Sequence, residues 1–190
     1  MLTTDQERQF IERVQDGDVA AFGLLYDAYV EPIYRFVFYK THNQEAAEDL
    51  TSQVFTKAIE NIGRYQLSKG SFRTWLYQIT RNTIVDHYRK THSTTSIEDA
   101  WEIPSTTDLT QEFTQTAEFE EIRKHLSQLT TLQRDIIVMR LWEDLSYAEI
   151  AAALGKSEGS CKMAYKRGVL ELKQNMSLSL FLLLFLVGKL

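Results

Sequence analysis

Apolar residues recur every three or four positions along most of this 190-residue chain. That spacing builds one face of an α-helix, and period-two alternation, the strand signature, is scarce. Phe10, Ile11 and Val14 predict a first helix over 5–15, capped by Thr4 with Glu7 at the capping-box position. The turn Asp16-Gly17-Asp18 ends it and caps a second helix over 19–30, which faces inward with Phe22, Leu25 and Tyr26. Pro32 suits the first turn of a third helix running to 41, with Ile33, Phe36, Val37 and Tyr39 on its apolar face. Over 44–62, Leu50, Val54, Phe55, Ala58 and Ile62 fall on one side of a fourth helix, and Glu45, Glu48, Asp49 and Gln53 on the other. A loop with two glycines follows over 63–71, and a fifth helix continues to about residue 90.

The pattern then breaks. Residues 93–122 hold eight acids and no Lys or Arg, with Thr and Ser dominating the first half. Such a segment buries too little apolar surface to order itself and reads as a linker, with Ile97, Trp101 and Ile103 as docking anchors. Helical spacing resumes near 119 and runs to about 173. Within it, Ser146 and Glu149 form a capping box for a short helix over 145–154, Gly155 stands where a C′ residue belongs, and Ser157 caps the next helix. Helix, tight glycine turn and basic second helix are the parts of a helix-turn-helix. In it Ala151, Leu154, Cys161, Tyr165 and Leu170 would pack the two helices together. The expected fold is all-α: two small helical domains joined by an acidic flexible linker, the C-terminal one a helix-turn-helix.

Charge changes this picture. The chain as a whole carries −5, which looks wrong for binding nucleic acid. Yet residues 64–92 hold six Lys or Arg against one acid, and residues 156–173 hold five against two. Phosphate contacts depend on the field within a Debye length of about 10 Å, so two basic islands can act on an acidic protein. The acidic remainder weakens binding to free DNA and suits a protein that works inside a larger basic machine. One cysteine, Cys161, excludes an internal disulfide framework. His42, His87, His92 and His125 are scattered without metal-ligand spacing. The polar start MLTTDQERQF lacks the apolar stretch of a signal peptide.

The first island interleaves rings with cations: Tyr65, Trp75, Tyr77 and Tyr88 among Arg64, Lys69, Arg73, Arg81 and Arg89. Aromatic faces stack on unpaired bases while flanking cations hold the backbone. Phe72 and Leu76 sit at core spacing in the same helix. The second island offers Ser157, Ser160, Lys162, Met163, Lys166 and Arg167 at the start of a helix that would enter a major groove. A base-stacking surface and a duplex-reading surface in one chain point to recognition and opening of DNA. Nucleophile–base patterns, phosphate-cradling glycine loops and metal clusters are missing from the sequence, so neither an enzyme nor a cofactor is expected.

Four stretches carry a family resemblance: GDVAAFGLLYDAYVEPIYRFVF, AAEDLTSQVFTKAIENI, FRTWLYQITRNTIVDHYRK and LSYAEIAAALGKSEGSCKMAYKRGVLELK. In this order the chain resembles the extracytoplasmic-function (group 4) sigma factors of bacterial RNA polymerase, in the sigma-70 family. The resemblance implies a region-2-like domain over 1–92, an acidic linker over 93–118, a region-4-like domain over 119–174 and an apolar tail over 175–190. It implies polymerase contacts to the β′ clamp through Glu48, Asp49 and Gln53, and to the β flap. It implies −10 recognition and melting by Arg64, Tyr65, Lys69, Phe72, Arg73, Trp75, Tyr77, Arg81, Asn82 and Arg89, with Asp86 on the same helix and 61–75 as pocket and platform. Ser157, Ser160, Lys162, Met163, Lys166 and Arg167 become the −35 readers. The linker would thread the RNA exit path, its carboxylates standing in for RNA phosphates. An anti-sigma factor is a further implied partner, and the setting is the bacterial cytoplasm.

Two departures stand out. Ser160-Cys161 replaces the usual Thr-Val of the family, and Met163-Ala164 stands where polar or basic residues are common. The family also leaves the tail unexplained. Leu180 to Val187 is wholly apolar but shorter than the roughly 20 residues that span a bilayer. Such a segment over 177–190 is expected to dock on the protein or a partner, or to associate with a membrane; docked on the helix-turn-helix, it would be an inhibitory latch. Competing readings are a stand-alone helix-turn-helix regulator of the LuxR-like kind, and an adaptor or anti-sigma-like protein. Neither uses the aromatic–cation helix.

Overall fold

The computed structural model describes residues 2–41, 43–91 and 117–187. Among them the regular structure is helical throughout, without strands, and the chain divides into two compact units, Met1–Leu109 and Thr110–Leu190. Residues 93–116 of the expected acidic linker lie outside the described residues, as do His42 and His92.

The first unit contains α1 (Thr4–Gln15), α2 (Ala20–Thr41), α3 (Gln44–Asn61) and α4 (Phe72–Thr91). Two short 3-10 turns, Ile62–Arg64 and Leu67–Lys69, connect α3 to α4. The cap of α1 lies one residue earlier than the sequence suggested: Thr3 is the N-cap and Gln6 closes the box. Glu7 is free of that duty and turns inward, where it is buried and accepts the Tyr29 hydroxyl. Asp18 does cap the next helix, its Oδ1 accepting from the Ala21 N–H at 3.3 Å.

The second and third expected helices are one. α2 runs through Pro32 without a break. Proline deletes one intrahelical hydrogen bond and crowds the preceding turn, at a cost of about 3 kcal/mol. Against that, Phe22 and Leu25 before it and Ile33, Phe36 and Val37 after it are all buried. Each such side chain contributes roughly 1.5–3 kcal/mol, so packing both halves into one core outweighs the proline. Leu50, Val54 and Ala58 of α3 and Phe72, Leu76, Tyr77 and Ile84 of α4 complete that core.

The second unit contains α5 (Ala117–Gln128), α6 (Thr131–Leu141), α7 (Tyr147–Leu154), α8 (Glu158–Asn175) and α9 (Leu178–Val187). Arg134 of α6 seals the end of α5 by donating to the carbonyls of Leu126, Ser127 and Leu129 at 2.9, 2.9 and 3.1 Å. The helix-turn-helix is built as its sequence indicates. Ser146 and Glu149 form a reciprocal box, Gly155 takes the left-handed conformation at φ 64°, and Ser157 caps α8. A side chain at that φ would be strained, which is why glycine ends α7. Ala151, Leu154 and Cys161 are buried between the helices and Tyr165 is half-buried. Leu170 departs from expectation: it is 55% exposed, because Gly168 and Leu172 hold the inward face of α8 instead.

The tail is a helix docked within the second unit. α9 packs on α5 and α8, burying Leu180 and Leu184 one turn apart, with Met176 buried just ahead. The Trp142 indole N–H donates to the Leu184 carbonyl at 3.4 Å, where a helix end lacks intrahelical donors. Among the described residues no helix is long and apolar enough to cross a membrane. With α9 in place, most of the N-terminal half of α8 stays exposed, Cys161 being the buried exception.

Candidate nucleic-acid interface

In the first unit, α3 and α4 cross beside the 3-10 turn and leave a groove of about 320 Å³. It is lined by Lys57, Asn61, Arg64, Trp75, Ile79, Asn82 and Thr83. Trp75 is half-buried, so one part of its ring is fixed by packing while another faces the groove. The Tyr65 ring stands 5.3 Å from it and the Phe72 ring 5.5 Å, centroid to centroid. The Tyr65 hydroxyl donates to the Gly70 carbonyl at 2.9 Å, closing the loop that leads into α4. Gly70 sits at φ 146°, a backbone conformation that disfavours any side chain.

Opposite Trp75, Lys57 ties the two helices: its Nζ donates to Thr83 Oγ1 at 3.0 Å and lies 3.9 Å from Asp86. Asn61 donates back to the Lys57 carbonyl at 2.8 Å, which holds its side chain at the groove. The groove therefore combines one aromatic ring with the side-chain nitrogens of Lys57, Asn61, Arg64 and Asn82. An unpaired base, with a π-face and acceptor edges, matches both.

Not every residue expected to face DNA does so. Arg64, Lys69, Asn82 and Arg89 are exposed, and Arg73 and Arg81 are half-buried. Burial lowers the pKa of Arg81 from its ordinary value. Phe72, Tyr65 and Tyr77, expected to face DNA, are instead buried in the core. Phe72 touches Tyr29, Tyr65 and Trp75, and Tyr77 meets Phe36 edge-on at 5.4 Å. The Tyr65 and Phe72 rings back Trp75, and Tyr77 fills the core against Phe36. Tyr88 also points inward, its hydroxyl donating to the Lys40 carbonyl at 3.1 Å. Burial pushes the hydroxyls of Tyr65 and Tyr88 up to about 12; nearby Glu7 adds to the effect at Tyr65.

Sequence reasoning missed Lys57 and Thr83. They lie 26 positions apart, and only the crossing of α3 with α4 joins them. A lysine on the polar side of an amphipathic helix carries no signal that separates it from an ordinary solvated one. Glu48, Asp49 and Gln53 lie on the exposed side of α3, with Gln44 donating to Glu48 at 2.9 Å.

In the second unit, Ser157, the N-cap of α8, and Ser160, Lys162, Met163, Lys166 and Arg167 within its first ten residues are all exposed. Two of them have structural duties as well. Ser157 Oγ accepts the Ser160 N–H at 3.2 Å, and Lys162 pairs with Glu158 at 2.6 Å while lying 5.8 Å from the centre of the Tyr147 ring. Lys162 is thus held along the first turn of the helix, ahead of any phosphate. Met163, 51% exposed, puts an apolar side chain at the centre of this face, a group suited to a thymine methyl. The Cys161 thiol is buried beneath; burial, then Glu158, raises its pKa, with Lys156 opposing.

Residues 25–94 match Sigma-70 region 2, and residues 119–172 match Sigma-70, region 4. The chain is 32% identical to the ECF RNA polymerase sigma factor BldN of Streptomyces coelicolor, over 85% of this chain and 62% of that protein's length. It is 33% identical to the RNA polymerase sigma factor YlaC of Bacillus subtilis, over 82% of this chain and 91% of that protein. Among solved structures, the sigma factor RpoE of Bartonella quintana, crystallised with the anti-sigma factor NepR, aligns with a TM-score of 0.67 at 22% identity. That alignment covers 82% of this chain and 96% of the other.

Proposed function

The chain belongs to the sigma-70 family of RNA polymerase sigma factors, in its extracytoplasmic-function branch, and from that premise we propose how its two units divide the work of starting transcription. It directs bacterial RNA polymerase to promoters. The second unit reads the −35 element through the exposed first half of α8, and the first unit captures a base of the −10 element as the strands part. Polymerase performs the chemistry of RNA synthesis; this chain supplies recognition and strand separation.

Roles follow from placement. Glu48, Asp49 and Gln53 form the polar face of α3 that docks on the β′ clamp. Trp75 stacks on an unpaired −10 base, Lys57, Asn61 and Asn82 offer donors to its edge, and Arg64, Lys69, Arg73, Arg81 and Arg89 hold the strand's phosphates. Ser160, Met163, Lys166 and Arg167 meet base edges and phosphates in the major groove, with Ser157 and Lys162 at the helix start. An anti-sigma factor is the partner class that would hold the protein inactive.

The observation that carries this reading is Trp75, a half-buried ring opening on a groove also lined by Lys57, Asn61, Arg64 and Asn82. A duplex-only regulator has no use for it. Multi-round transcription with core polymerase over a promoter library tests the proposal. The parent chain should yield specific starts. Trp75→Ala should lose about 1–3 kcal/mol of −10 strand binding, on melted templates as well as on duplex promoters. Duplex binding by the free protein with no transcripts would sink the proposal in favour of a stand-alone regulator.

A further inference from the structure

Gln15 ends α1, 47 and 50 positions away from the loop that borders the −10 groove, yet it is bonded to that loop twice. Its Nε2 donates to the Ile62 carbonyl at 2.8 Å and to the Tyr65 carbonyl at 3.1 Å. These two carbonyls bracket the 3-10 turn Ile62–Arg64, so one carboxamide clasps both ends of the turn that carries Arg64. The residue before the turn is Asn61, which lines the groove, and the residue after it is Tyr65, whose ring packs on Trp75.

We propose that Gln15 is a positioning residue for the −10 groove. A primary amide has two N–H donors on one atom and spends both here. That leaves the turn little freedom to rotate, and with it the Arg64 side chain and the Tyr65 ring behind Trp75 are held in register before DNA arrives. Ordering the loop in advance removes an entropic cost that binding would otherwise carry. Gln15 touches no base. Its effect runs through Tyr65 and Arg64.

α1 has other anchors, and these separate positioning from simple docking of the helix. Ile11 and Val14 are buried, and Glu7 accepts the Tyr29 hydroxyl. Losing the Gln15 amide should therefore loosen the loop without releasing α1.

This inference rests on the −10 reading of the groove, and the test keeps the two apart. The chain would be assembled with core polymerase, and its affinity for a single-stranded oligonucleotide bearing the selected non-template −10 sequence read by fluorescence anisotropy. Gln15→Met keeps the length and removes both donors; it should weaken oligonucleotide binding about tenfold. Gln15→Lys restores donors and should return affinity to within about twofold of the parent. Polymerase assembly, −35 duplex binding and the melting temperature of the free chain should be unchanged in both. Parent-like affinity in Gln15→Met would overturn the proposal. So would a parallel loss of assembly and melting temperature that Gln15→Lys fails to restore, which would make the residue a docking contact only. Failure of the parent holoenzyme itself to bind any −10 strand would instead remove the functional reading beneath it, and the proposal with it.

Discussion

Gly168 of α8 lies against Ile137 of α6 so closely that a Cβ on the glycine would fall 2.8 Å from Ile137 Cδ1 and 3.1 Å from Gln133 Cβ. Both Gly168 and Ile137 are buried. The glycine sits one residue after Arg167, so this approach of two helices sets the height at which the exposed first part of α8 is presented. Gly168→Ala gains about 1 kcal/mol of helix propensity and loses about 1–3 kcal/mol to overpacking. The expected net result is a second unit less stable by about 1 kcal/mol and weaker −35 binding. Urea unfolding and duplex titration read the two effects; an unchanged or raised midpoint would show that Ile137 yields freely.

Arg167 is exposed, and the proposed −35 reading gives it a phosphate contact. Arg167→Ala should weaken binding to all duplexes to a similar degree and flatten the dependence of log affinity on log salt by about one. A loss confined to one promoter base would instead make it a base reader.

The tail's burial predicts stability, with no release of activity. Leu184→Ala removes a buried leucine and its seat, at a cost of about 2–5 kcal/mol. Ending the chain after Asn175 strips away Leu180 and Leu184 together, both buried in the full chain. Promoter activity should stay level or fall, since the first half of α8 is open with α9 in place. Transcription that rises on truncation, with the melting temperature unchanged, would revive an inhibitory role.

Phe72 separates a core role from a stacking one. It is fully buried, so Phe72→Leu, which keeps most of the volume, should cost on the order of 1 kcal/mol and leave −10 strand binding within about twofold. A loss as large as that of Trp75→Ala would return Phe72 to the DNA-facing set.

The first unit should also weaken in alkali. Tyr65 and Tyr88 ionise from 10.0 in ordinary surroundings but near about 12 here, because burial opposes the charged form. A raised folded pKa means the unfolded chain gives up its protons first. Stability is therefore whole below pH 10 and lost as pH rises through the window to about 12. Circular dichroism against tyrosinate absorbance follows it: unfolding and ionisation should coincide, and tyrosines that titrate fully with the helices intact would contradict the burial.

Local chemistry was legible in the sequence. Helix periodicity, the Ser146–Glu149 box, the left-handed Gly155 and the cap at Ser157 each depend on residues within a turn of one another, and all are present in the folded chain. So is the all-helical class, and so are the two basic islands, since charge and period survive any arrangement. What the tertiary structure alone decided depends on residues far apart. α2 runs through Pro32 because the core on both sides outweighs one lost bond. Phe72 already stood at core spacing, but Tyr65 and Tyr77 turned inward because the bundle needed their volume, and their interleaving with cations does not separate a ring that fills a core from one that meets a base. Lys57 joined Thr83, and Gln15 reached Ile62 and Tyr65, only because helix crossings brought them within hydrogen-bond range. Sequence spacing specifies what one helix can present; which of those side chains share a site is set by how the helices pack.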